Sequence, residues 1–328
     1  MSPSTPADTP RREAHLARGV WSGVAAGALW GLVFLAPQLL AAFTPLQQAV
    51  ARYLAYGLLA LVLLLPRWRA ATSHVGATEW WALVRLSLLG NLVYFVLLAR
   101  AIHSAGGAAT ALIVGLVPVV VTVASVFARN RRGPSLRALA GPCVLSVLGM
   151  VLVAIDAMHA GRGMANGQAG RALGLLCAAG ALLSWSAYSV VNARWLARRP
   201  DISGRDWSLL TGVATGGLAL LLVIPAFALA GGQHGAGDWL RFWGVSAALA
   251  LFASVIGNAF WNRASRLLPL SLAGQMIVFE TVFALLYGFL WELRLPSLLE
   301  LLAIACLIAG VLWCASLHAS HVAPEHAG

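Results

Sequence analysis

Lysine is absent from this 328-residue chain, so all 22 basic residues are arginine. Charge of either sign is scarce, at 10% of residues, where a soluble domain carries about 25%. That shortage, with 60% hydrophobic residues, excludes an ordinary soluble domain and predicts a polytopic membrane protein. The net charge of +11 would suggest nucleic acid in a soluble protein. Here most of the arginines sit in short segments between apolar runs, where they orient helices, and no nucleic-acid partner is expected. Cys143, Cys177, Cys306 and Cys314 are the only cysteines and all lie in apolar runs. They read as small packing residues, without disulfide or metal-ligand spacing. No His-Glu-x-x-His, Cys-x-x-Cys, phosphate-binding loop or catalytic triad is present, so neither a metal, a cofactor nor an enzyme is expected.

What is present is a series of apolar runs long enough to cross a bilayer. They cover 19–40, 45–66, 80–100, 105–127, 138–156, 171–193, 207–229, 239–262, 270–291 and 297–317. Helices satisfy the backbone within lipid, and these runs are too long and uniformly apolar for barrel strands. The expectation is therefore an all-α polytopic membrane protein with ten transmembrane helices. Residues 1–18 are polar and predicted to be a disordered cytoplasmic terminus, and 318–328 a cytoplasmic tail. With the N-terminus inside, fifteen arginines fall in cytoplasmic segments and five in external ones, which predicts both termini in the cytoplasm.

The two halves echo each other. "AAGALW" (Ala25 to Trp30) is similar to "AAGALLSW" (Ala178 to Trp185), and Gly90-Asn91 in the third run returns as Gly257-Asn258 in the eighth. "GLVPVVVTVASVFAR" from Gly115 can be laid on "VFETVFALLYGFLWE" from Val278, and "GPSL" before the fifth run matches "LPSL" before the tenth. The matches keep their order, which predicts five-helix repeats over 19–156 and 171–317, joined by an external linker, 157–170. Five is odd, so the second copy enters the membrane inverted. Such a pair suits alternating access in a secondary transporter, although channels and membrane enzymes can also be duplicated.

The order of "ALWG", "PLQQAVARYLAYGLLAL", "GLVPVVVTVASV" and "FETVFALLYGFLWE" resembles the EamA-type branch of the drug/metabolite transporter superfamily, over about residues 20–317. The resemblance implies a carrier of the bacterial inner membrane, usually an exporter of amino acids, other metabolites or small toxic compounds. Two positions depart from the family pattern. Its usual Glu-Pro in the ninth helix is Glu280-Thr281 here, and the acid that often follows the fourth helix is Arg129.

Polar residues inside the runs are the candidate site. Arg52 matches the arginine the family tends to carry in its second helix. It either attracts an anionic group such as a carboxylate, or forms a structural ion pair or snorkels. Glu280, mid-span in the ninth run, is a candidate for proton coupling or for a neutral or Arg-paired structural role. Asn91 with Tyr94, and Asn258 with Trp261, each sit three residues apart on one helical face, with Asn262 adjoining the second. Amides beside aromatic rings suit a small molecule with polar and apolar parts, or alternatively interhelical hydrogen bonds. Trp185, Tyr188 and Asn192 recur at one face of the sixth run, with Trp30 as the approximate counterpart in the first. Pro37 and Gln38 are expected to break the first helix, and Gly115 and Gly288 to mark close helix contacts.

The expected function is export of a small amphipathic metabolite, such as an amino acid, by alternating access. A carrier of lipophilic cations and a polytopic enzyme or assembly subunit are the rivals. The small-molecule substrate and the lipid bilayer are the expected partners. Monomer and homodimer remain equally open.

Overall fold

The computed structural model describes residues 8–40, 42–105, 110, 113–127, 135–159, 168–228 and 234–320. Every regular element among them is helical. Helix α1 spans Asp8–Gly31, tightens into a 3-10 turn at Leu32–Leu35 and resumes as α2, Ala36–Leu39, with Pro37 in its first turn. Proline supplies no N–H, so a helix start accommodates it where an interior would not. After Thr44, whose hydroxyl accepts from the Gln47 amide in a capping box, α3 runs Pro45–Leu64. Then come α4 (Trp68–Thr72), α5 (Ala77–Ser87), α6 (Val93–Ala105), α7 (Val117–Phe127), α8 (Leu136–His159) and α9 (Gln168–Arg198). The second half continues with α10 (Gly204–Leu221), α11 (Val223–Ala228), α12 (Ala236–Leu249), α13 (Asn258–Leu267), α14 (Leu270–Met276), α15 (Val278–Glu292) and α16 (Leu298–Ser320).

Among the described residues, seven helical stretches are long and apolar enough to span a membrane: Ala14–Leu35, Pro45–Thr72, Ala77–Ile102, Ala172–Arg198, Ala236–Leu267, Leu270–Trp291 and Leu298–Leu317. The remaining expected spans fall on α7, on α8, whose apolar stretch Arg137–Leu152 is shorter, and on α10 with α11. Trp21, Leu58, Trp81, Leu176, Leu221, Ile224, Leu240 and Leu290 are exposed, an apolar outer face that water would penalise and lipid does not. One expectation is corrected at the N-terminus: the chain is already helical from Asp8. Arg, Glu, Ala and Leu in "RREAHLAR" are strong helix formers and extend α1 beyond the apolar run.

Two further departures bear on function. The third and eighth runs are not plain α-helices: Leu88–Leu92 and Ala250–Gly257 are π-helical. The fourth and ninth are interrupted. A turn at Gly115 and Leu116 precedes α7, and Ile277 separates α14 from α15. The tightest helix pairs are α8 with α16, α3 with α10, and α6 with α9; α1 packs on α13 and α15, and α7 on α14. Gly288, expected at a close contact, has open space where a side chain would stand. The close approach is instead between Gly57 of α3 and Gly216 of α10.

Candidate functional site

A cavity of about 570 Å³ lies among α1, α3, α6, α9, α13 and α15. Its inner wall holds Trp30, Arg52, Tyr53, Asn91, Tyr94, Trp185, Asn258 and Glu280, and its upper wall Phe34, Phe43, Pro45, Leu98 and Ile102. Its lining reaches from the middle of the bundle to Phe43 and Pro45, at the start of α3.

Local backbone chemistry explains how these groups meet. A π-turn bonds i to i+5, which leaves a carbonyl for another partner and rotates the residues after it. The Trp30 indole N–H donates to the Ala253 carbonyl in the second π-segment (3.1 Å). The Ser184 and Tyr53 hydroxyls donate to the Leu89 and Asn91 carbonyls of the first (2.7 and 3.3 Å). Gly90-Asn91 lies within the first segment, and Gly257 ends the second with Asn258 opening α13. A β-carbon on Gly90 would strike the Tyr188 ring at 2.5 Å, and one on Gly257 would sit 3.0 Å from the Trp30 indole nitrogen. Glycine thus admits an aromatic of the other half against each π-segment. The asparagines reach the α3–α10 pair: Asn91 Nδ2 donates to Thr215 Oγ1 (3.0 Å), and the Asn258 side chain lies beside the Tyr56 hydroxyl, which donates to the Ser208 carbonyl (2.7 Å). Thr215 and Tyr56 each directly precede one of the two touching glycines.

Arg52 is buried, at 9% exposure. Its Nε–H donates to Ser254 Oγ (3.2 Å), and its guanidinium carbon lies 5.4 Å from the Tyr53 ring centroid. Among the described residues its two terminal nitrogens carry no protein hydrogen bond or ion pair. Glu280 also lacks an ion pair among the described residues and falls in the first turn of α15. The break at Ile277 places its carboxyl at the positive end of a half-helix, rather than in the middle of a continuous span. The two opposite charges share one cavity without a direct bridge.

The aromatic floor is layered. Trp30 meets Trp185 edge-on (5.3 Å), and Tyr94 tilts against Trp185 (5.1 Å). Trp261 lies beneath Trp30 (5.3 Å), and Tyr188 stacks behind Trp185 (4.8 Å). Of the sequence candidates, Trp30, Arg52, Asn91, Tyr94, Trp185, Asn258 and Glu280 therefore meet at the cavity. Tyr188 and Trp261 support it from behind. Asn262, one turn further along, leaves the cavity altogether: it accepts from Asn192 Nδ2 (2.9 Å) and donates to the Gly204 carbonyl (3.3 Å). Asn192, expected on the cavity wall, in turn accepts from the Trp207 indole (2.9 Å). The side chains of Pro37 and Gln38, and Arg129 as a whole, lie outside the described residues.

That buried amide chain leads to a cluster of ion pairs. Beyond it Arg199 binds Glu79, Asp201 and the His74 carbonyl, Arg67 pairs with Asp206 (2.6 Å), and Arg266 donates to the Ile202 carbonyl. The Arg199 guanidinium holds the exposed Asp201 carboxyl down to about 2. Sequence reasoning missed this cluster, whose members are far apart in the chain. It also missed Ser254 and its counterpart Ser87, although a signal was present: "SLLGN" (Ser87 to Asn91) and "SVIGN" (Ser254 to Asn258) share one pattern.

Comparison with known proteins fits this architecture. The EamA-like transporter family matches residues 17–155 and 172–316. The inner membrane protein YtfF of Escherichia coli (strain K12) is 31% identical over 307 residues, covering 89% of this chain and 93% of its own. A solved crystal structure covers 94% of this chain and 99% of its own with a TM-score of 0.73, and at 19% identity it shows the fold alone. The protein is a multi-pass membrane protein that belongs to the EamA-like transporter family.

Proposed function

We propose that the protein is a secondary carrier that exports a small amphipathic metabolite, such as an amino acid, by alternating access. The observation that carries this reading is a cavity that holds an unbridged Arg52 and Glu280 among Trp30, Tyr94 and Trp185, with the Asn192–Asn262 pair and a cluster of ion pairs packed to one side of it. A molecule with a carboxylate, a cationic group and an apolar body has a partner for each part.

Ten spans in two inverted five-helix repeats are the frame of this reading. Helix pairing supports it. Exchanging the halves turns α3–α10 and α8–α16 into themselves, and α1–α13 into α9–α6. The π-segments and the helix breaks recur at matching places. With arginine-rich loops inside, the ion-pair cluster is cytoplasmic and the cavity faces outward, the state that follows release.

The test is flux from proteoliposomes loaded with the twenty proteinogenic amino acids, read by mass spectrometry. Release of a subset above protein-free vesicles is expected, and release of none overturns the reading. Proton coupling through Glu280 predicts that an imposed pH gradient changes this flux and that Glu280→Gln abolishes the change. Glu280 and the aromatic rings also favour a second reading, export of lipophilic cations. Under that reading Arg52→Ala leaves transport intact, whereas carboxylate carriage fails.

A further inference from the structure

Ser254 lies in the π-segment, is 2% exposed, and stands four residues before Asn258. Its oxygen accepts the Nε–H of Arg52 (3.2 Å). An arginine side chain is long and adopts many rotamers, so a buried guanidinium needs to be fixed before it can select a planar ligand. Ser254 holds the inner edge of the group and the Tyr53 ring lies against it (5.4 Å). The outer edge, with both terminal nitrogens, is left to the cavity. Two parallel N–H donors match the two oxygens of a carboxylate.

The related position in the other half behaves differently. Ser87 stands four residues before Asn91, but its hydroxyl donates to the Thr211 backbone carbonyl (3.2 Å). Thr211 precedes Gly216 by five residues, as Arg52 precedes Gly57. The serine is therefore repeated and the guanidinium is not. One copy ties helices together, and the other engages a side chain that faces the cavity.

The geometry points to Ser254 as a positioning residue that presents the terminal nitrogens of Arg52 to the carboxylate of the carried molecule. This rests on the reading of the cavity as the substrate site. Because Ser254 belongs to the π-segment, rearrangement of that segment would also shift the guanidinium and release the carboxylate.

Uptake of radiolabelled amino acids into proteoliposomes first identifies which acid is carried. Binding of that acid and of its carboxamide is then measured by calorimetry on purified protein whose folding is verified by its unfolding temperature. Loss of a hydrogen bond to a charged group predicts that Ser254→Ala weakens the acid about tenfold and the carboxamide less than about twofold. Ser254→Thr, which keeps the hydroxyl, restores the acid. Ser87→Ala does not separate the two ligands. Equal weakening of acid and carboxamide by Ser254→Ala, or no weakening of the acid, overturns the positioning role while leaving the carrier reading intact. Uptake of no amino acid overturns the carrier reading itself.

Discussion

Gly57 and Gly216 touch backbone to backbone where α3 crosses α10: a β-carbon on Gly57 would lie 2.5 Å from Gly216 Cα, and one on Gly216 2.6 Å from Gly57 Cα. Neither helix can yield locally, because the obstructing atoms are main chain. Gly216→Ala is therefore expected to separate the helices and destabilise the fold by about 1–3 kcal/mol. Its neighbour Gly217 faces open space, and a β-carbon there would meet no atom within 4 Å. Gly217→Ala is expected to be neutral or to gain up to about 1 kcal/mol from helix propensity. Thermal unfolding of the two purified variants checks the contrast.

The separation of Arg52 from Glu280 makes a second prediction about ligand charge. Each group faces the same cavity and neither neutralises the other through a bridge. Arg52→Ala is expected to reduce binding of a carried zwitterion by at least about tenfold, since a charged hydrogen bond contributes about 1.5–3 kcal/mol. The decarboxylated amine of the same side chain is expected to bind the variant no worse than the wild type. Calorimetric titration of both ligands decides it, and a parallel loss for both would place the arginine in structure alone.

Beyond the Asn192–Asn262 pair, Arg199 joins the segment after α4, the start of α5 and the segment before α10 through His74, Glu79 and Asp201. Arg199→Ala should loosen this cluster. A cysteine placed at Asn262, which is buried beneath it, is then expected to react several-fold faster with a membrane-impermeant maleimide applied from that side. The same cluster carries a pH signature. The Asp201 carboxyl is depressed from 3.8 to about 2 by Arg199, so its contribution is complete above 3.8 and is lost as pH falls toward 2. The difference in unfolding temperature between wild type and Asp201→Asn should therefore shrink across that window. High salt should reduce it as well, because the pair is exposed.

Much of the helical frame was legible because apolar length reports directly on spans. The candidate residues that meet at the cavity were legible for a related reason: a polar side chain inside an apolar run needs a partner or a cavity. Depth along the helix was not legible. Asn262 follows Asn258 by one turn, yet it lies outside the cavity, since no periodicity says where a cavity stops. The π-segments were also hidden. An inserted residue shifts the face without changing composition, and only the repeated Ser-x-x-Gly-Asn pattern hinted at them. The ion-pair cluster joins Arg67 to Asp206 and Arg199 to Glu79, pairs that no local spacing can foretell.

The two asparagines give the sharpest measure of how far the halves act alike. Asn91 bonds Thr215 and Asn258 lies beside Tyr56, each next to one of the paired glycines. If these are equivalent struts between the π-segments and the α3–α10 pair, double-mutant cycles should return similar coupling in both. The cycles are Asn91→Ala with Thr215→Ala, and Asn258→Ala with Tyr56→Phe. Membrane hydrogen bonds average about 0.6 kcal/mol, so coupling near that value is expected in each, measured by unfolding in detergent. Transport should separate them. Both asparagines line the cavity, but Asn258 follows the π-segment that contains Ser254, which holds Arg52. Asn258→Ala should thus raise the KM for a carboxylate substrate more than Asn91→Ala does, at matched loss of stability. Equal effects on KM would mean that the second π-segment is a strut like the first and carries no additional role in presenting the guanidinium.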